Sequence, residues 1–119
     1  MTRLAAYTEN KIATQSGGKI VVMLYEGAIR FLKQSVSQIE AQDWKGKNDS
    51  IQKAQAIIDE LRAALNKDAG GEVAQNLWKL YDFMYRRLIE ANIRKDISRI
   101  NEVIALLEDL LDGWREIAE

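Results

Sequence analysis

The sequence predicts an all-α protein, an antiparallel up-down four-helix bundle behind a short N-terminal capping segment or helix. Three observations predict it. The 119 residues contain no proline, so nothing in the chain forces a long helix to break. Glycines at Gly17-Gly18, Gly46 and Gly70-Gly71 punctuate the chain between long stretches free of helix breakers. Between them, apolar residues recur at the i, i+3, i+4, i+7 spacing of one helical face. A chain of this size makes about one domain. We therefore read 1–119 as a single helical domain, with 1–16 as an N-terminal lid and 17–117 as the bundle.

The first helix is expected over 17–42, with Ser16 accepting from its free N–H groups. One stripe runs through Ile20, Leu24, Ala28, Phe31, Ser35 and Ile39, and a second beside it through Val22, Tyr25, Ile29, Leu32 and Val36. Gly27, costly in a helix interior, suits close approach of a neighbouring helix, the favoured reading, or of a ligand backbone. The second helix, 46–67, has a compact stripe of Ile51, Ala54, Ile57, Ile58, Leu61 and Leu65. The run from Asn66 to Gly71 suits a chain reversal, because Asn and Gly tolerate the left-handed conformation that ends helices.

The third helix, 71–94, carries Val73, Leu77, Leu80, Met84, Leu88 and Ala91 on one stripe. Its flank of Ala74, Trp78, Tyr81, Tyr85 and Ile89 is rich in aromatic rings with polar tips. The fourth helix, 97–117, begins at an Asp96 cap and has one ordinary core face from Ile97 to Trp114. Short links between helices of similar length favour antiparallel neighbours.

The apolar faces of the first and third helices are wider than the ~100° that a surface helix needs to meet a core. Periodicity allows two readings. The flanks can pack on neighbours inside the bundle, or they can form a groove for a partner helix anchored at i, i+3, i+4 and i+7. Leu4, Tyr7 and Ile12, scattered among polar residues, are too few for a core of their own. They suit a lid or a fixed cap over part of the bundle.

Composition narrows the function. There is no His and no Cys, which removes imidazole and thiolate chemistry and the usual zinc ligand sets. The carboxylates mostly alternate with Lys and Arg on polar faces, as solvated surfaces do. Ser16-Gly17-Gly18-Lys19 lacks the spacing of a phosphate-binding loop. We therefore expect no enzyme, no metal and no cofactor. The net charge of -1 argues against a general nucleic-acid binder. The basic cluster of Arg86, Arg87, Arg94, Lys95 and Arg99 reads as cations near a helix C-terminus. The longest apolar run, Ile20 to Tyr25, is far short of the ~20 residues of a membrane span. No signal-peptide pattern is seen, and a cytoplasmic protein is expected.

GGEVAQNLWKLYDFMYRRLIEANIRKD, from Gly70 to Asp96, closely resembles the flagellin-specific export chaperones of the FliS family. The resemblance extends to KIVVMLYEGAIRFL and NDSIQKAQAIIDELRAAL upstream, and to Glu102-Val103, Leu107, Leu110 and Trp114 downstream. Tyr7 also fits. Ser16-Gly17 stands where the family often has Ser-Pro, and Glu26 where it usually has Asp.

This resemblance implies a four-helix bundle that holds the C-terminal segment of flagellin in the cytoplasm. It would prevent premature polymerisation and hand the subunit to the flagellar type III export apparatus. It further implies a displaceable N-terminal lid containing Leu4, Tyr7 and Ile12. Client-facing candidates are Val22, Tyr25, Ile29, Trp78, Tyr81, Tyr85 and Ile89, with Asn48, Asn76 and Asn92 at positions where the family motif also has Asn. The alternative is a structural bundle whose exposed flanks mediate homo-oligomerisation.

Overall fold

The computed structural model describes residues 17–65 and 67–117. Leu4, Tyr7, Ile12 and the Ser16 cap lie outside the described residues. Four helices make up the described chain: α1 (Gly17–Glu40), α2 (Trp44–Ala63), α3 (Lys67–Arg94) and α4 (Ile97–Ile117). α1 and α3 each pack against both α2 and α4, which closes a ring in chain order. Side-chain pairs give the direction of each seam. From one end to the other, Lys47 meets Asn92, Gln55 meets Tyr85 and Arg62 meets Asp82, so α2 and α3 are antiparallel. Glu26–Arg115 and Lys33–Glu108 do the same for α1 and α4, and Arg87–Glu102 with Glu90–Arg99 for α3 and α4. The up-down bundle is as expected.

Two connections share one design. At the end of α1, Asp43 N–H donates to Gln38 O (2.8 Å) and Gln42 N–H to Ile39 O (3.0 Å), with Gln42 left-handed at φ 58°. This is a Schellman end in which Gln takes the place usually filled by Gly. Asp43 then caps α2, its Oδ1 accepting from Gly46 N–H at 3.0 Å. At the end of α3, Asp96 N–H donates to Ala91 O (3.0 Å) and Lys95 is left-handed at φ 55°. Asp96 caps α4, accepting from Ser98 N–H (3.0 Å) and Arg99 N–H (3.2 Å). The Arg99 N–H bond is the main cause holding the Asp96 carboxyl below the usual carboxylate range.

Gly46 is therefore no joint. It lies in the first turn of α2, where a Cβ would come within 2.3 Å of Asp43 Oδ2 and 2.8 Å of the Gln38 carboxamide. The missing side chain makes room for the cap. Gly71 is a true joint, with φ 60° and ψ -137° inside α3, a conformation essentially reserved for glycine. At Gly27 a Cβ would meet Ile57 Cδ1 at 3.3 Å, the close α1–α2 approach that the sequence suggests.

The core is centred differently from the expected stripes. On α1 the buried line is Tyr25, Ala28, Ile29, Leu32, Ser35 and Ile39, while Leu24 and Phe31 are only partly covered. On α3 it is Ala74, Tyr81, Met84, Leu88 and Ala91, while Val73 is 70% exposed. Each true face lies between the two stripes read from the sequence. α2 and α4 bury Ile51, Ala54, Ile58 and Leu61, and Ile100, Val103, Ile104, Leu107 and Leu111. Buried Ser35 is satisfied by donating to Leu32 O at 2.6 Å.

Candidate functional site

The candidate site residues separate into a buried set and an edge set. Tyr25 and Tyr81 are fully enclosed, and their hydroxyls hydrogen bond at 2.6 Å across the bundle. Their rings meet edge to face at 6.3 Å, and Trp114 packs on Tyr25 at 6.4 Å. Burial pushes both hydroxyls above the ordinary tyrosine range; hydrogen bonds from Tyr81 and Trp114 oppose this at Tyr25. Ile29 is also core, and Val22 is partly buried against it. In this conformation Tyr25 and Tyr81 offer a partner no surface, and Ile29 shows only an edge, between α1 and α4. The flank that carries them on paper is turned inward because each wide stripe buries its middle.

The edge set lies along the seam of α2 and α3. Trp78 and Tyr85 are half-buried there, and Ile89 is 43% exposed. Gln55 Nε2 reaches Tyr85 O at 3.3 Å. Buried Lys47 donates to Asn92 O (2.9 Å) and Oδ1 (2.7 Å), so Asn92 ties the last turn of α3 to the start of α2. Burial, with some help from Lys95, pulls the Lys47 ammonium below the usual lysine range. Asn48 is exposed one residue beyond Lys47, and Asn76 is exposed near the start of α3.

Three further residues belong to this edge. Ile93, 76% exposed, continues the line from Tyr85 and Ile89 at the next i+4 position. Sequence periodicity could have found it. Trp44 is 40% exposed, with the Lys95 ammonium 4.6 Å from its ring centroid. The sequence does not single it out, because Gly46 looks like the helix start. Arg62 stacks on both Trp78 and Tyr85, at 5.6 and 5.4 Å from their centroids. It pairs with Asp59 and, at 3.0 Å, with Asp82. Nothing in the sequence singles it out. From Trp78 to Ile93 the edge is about 22 Å long, room for four turns of a partner helix.

An open groove of about 840 Å³ lies between α1 and α4. Ion pairs of Lys33 with Glu108 (3.3 Å) and Arg115 with Glu26 (2.9 Å) bridge it, and its lining is mostly charged. Among the described residues, no cluster of carboxylates converges to hold a metal ion. No described helix is long and apolar enough to cross a membrane.

Comparison with known proteins gives the chain a family. The model of the family described as flagellar protein FliS matches residues 1–119. The chain belongs to the FliS family. The flagellar secretion chaperone FliS of Bacillus subtilis is 37% identical over 111 residues, covering 93% of this chain and 82% of that protein. The Salmonella typhimurium protein of the same name is 38% identical, covering 92% and 82%. A solved structure titled as a flagellar chaperone from bacteria superposes with a TM-score of 0.81 at 23% identity, over 93% of this chain and 90% of that one, and shares the fold. The FliS family is one of chaperones, so the work of this chain is binding and not catalysis.

Proposed function

We propose that the protein is a cytoplasmic export chaperone that takes the C-terminal segment of flagellin onto the α2–α3 edge and passes it to the flagellar type III export apparatus. The observation that carries this is the line of Tyr85, Ile89 and Ile93 on α3, left partly or largely uncovered beside a polar edge of α2. Relatives named flagellar secretion chaperones support the client class. Spacing of i, i+4, i+8 suits the apolar face of an amphipathic helix.

The energetics favour a long contact. A large apolar side chain contributes about 1.5–3 kcal/mol when fully buried. Ordering a disordered client opposes this with about 2–5 kcal/mol. Several anchors are therefore required, and burying them on the chaperone denies them to another flagellin. Residues 1–16, with Leu4, Tyr7 and Ile12, act in this reading as a removable cover that the client displaces. Deleting them should tighten client binding if they compete for the same surface.

The test is the double substitution Ile89→Asp and Ile93→Asp. Both side chains already meet solvent, so helicity should be kept, while affinity for a flagellin C-terminal peptide should fall at least a hundredfold. Unchanged affinity in the folded variant would remove the edge from the client surface. Concentration-dependent oligomers that the same substitutions dissolve, with no response to flagellin, would instead make it a homo-oligomer interface.

A further inference from the structure

Trp78 and Tyr85 are seven residues apart on α3, about 10.5 Å along the helix axis. The Arg62 guanidinium carbon lies 5.6 Å from one ring centroid and 5.4 Å from the other, and so stands midway between them. It fills the gap that a large side chain of a docking helix would enter. A planar guanidinium suits this position because it stacks on aromatic faces while its edge still pairs with carboxylates.

The anchors of Arg62 fall on two helices. Asp59 holds it from its own helix, α2, three residues back. Asp82 at 3.0 Å and the two rings hold it from α3. Asp82 also forms an ion pair with Arg86, Oδ2 to Nε at 3.0 Å. If Arg62 left the gap, it would keep Asp59 and Asp82 would keep Arg86. Neither carboxylate is stranded by the movement, so release breaks only the contacts that cross the seam.

We propose that Arg62 is a removable plug of the aromatic part of the α2–α3 edge. In the free chain it occupies the gap between Trp78 and Tyr85. When a client helix docks, Arg62 swings back along α2, and an apolar client side chain takes its place between the rings. The plug keeps the two aromatic faces covered until then and selects clients able to displace a cation. As a client gate, this rests on the reading of the edge as the flagellin surface.

Titration calorimetry of the full chain with a flagellin C-terminal peptide tests it. Arg62→Ala should bind about tenfold more tightly than wild type, a difference of about 1.4 kcal/mol. Asp82→Asn, which removes the carboxylate that crosses the seam, should bind two- to threefold more tightly. Equal or weaker binding by Arg62→Ala, with helicity retained, would overturn the plug and make Arg62 part of the docking platform. A second measurement needs no client. With Trp44 and Trp114 replaced by Phe, Trp78 is the sole emitter, and Arg62→Ala should raise its acrylamide quenching about twofold. Unchanged quenching would also overturn the plug. If neither wild type nor variant binds the peptide, the flagellin reading fails, and quenching alone decides whether Arg62 covers the rings.

Discussion

Tyr25 and Tyr81 form a hydroxyl pair that crosses the core, and replacing each with Phe tests whether they belong to the core or to a client surface. The 2.6 Å bond joins two side chains at 0% and 1% exposure, so neither hydroxyl can turn to water. The partners are unequal. Trp114 also packs on Tyr25, its ring centroid 6.4 Å away, and opposes the upward push on the Tyr25 hydroxyl, whereas Tyr81 has the side-chain hydrogen bond to Tyr25.

Tyr81→Phe leaves the Tyr25 hydroxyl beside the Trp114 indole and should cost about 1 kcal/mol, the net value of one hydrogen bond. Tyr25→Phe strands the Tyr81 hydroxyl in the core and should cost about 2–3 kcal/mol. The double variant strands neither hydroxyl, and both rings stay in edge-to-face contact. It should cost no more than Tyr25→Phe alone, giving a coupling of about 1 kcal/mol or more. Urea unfolding followed by circular dichroism at 222 nm resolves this, with a slope of about 1–3 kcal/mol per molar.

Alkaline pH gives a second readout. Burial raises both hydroxyls above the ordinary tyrosine pKa, so the fold holds them neutral. Their contribution is full below pH 10 and is lost as pH rises above it, where the unfolded hydroxyls ionise. The double Phe variant should lose less stability between about pH 10 and 11 than wild type. Flagellin affinity of the folded double variant should stay within about twofold of wild type, a shift below ~0.5 kcal/mol. Strictly additive costs would refute the coupled pair. A large loss of affinity in a folded variant would refute the assignment of these tyrosines to the core.

The remaining predictions concern the joints and the seam. Gly71→Ala should destabilise the chain by about 1–3 kcal/mol, because alanine is strained at φ 60°, ψ -137°; thermal unfolding measures it. Gln42→Gly should stabilise it by about 1 kcal/mol, relieving a left-handed residue at φ 58°, and raise Tm by a few degrees. Lys47→Ala should cost about 1.5–3 kcal/mol, since it removes both bonds to Asn92 and leaves acceptors of the last α3 turn without that donor. Amide exchange in the last turn of α3 and the first of α2 should rise in that variant.

The ring of four helices was legible because proline is absent and short links join helices of similar length. The Asp96 cap, the Gly71 joint and the close packing at Gly27 were legible because each rests on local chemistry. The centres of the wide faces were not. On α1 and α3, apolar residues extend so far round the helix that two stripes fit equally well, and only the neighbours decide which middle is buried. Tyr25 and Tyr81 thus moved from flank to core, and Val73 from core to surface. Gly46 misled because close approach and chain reversal both call for glycine. Arg62 was invisible because its meaning lies in two rings of another helix.

The central claim is that the exposed edge of α3 is where flagellin's C-terminal segment docks. Titration calorimetry of the wild-type chain and of the Ile89→Asp, Ile93→Asp variant, each against full-length flagellin and flagellin lacking that segment, tests it most directly. The account predicts tight binding by wild type to full-length flagellin only, and loss of that binding in the folded variant. Equal binding to both flagellins, or a variant that binds as wild type does, would contradict it.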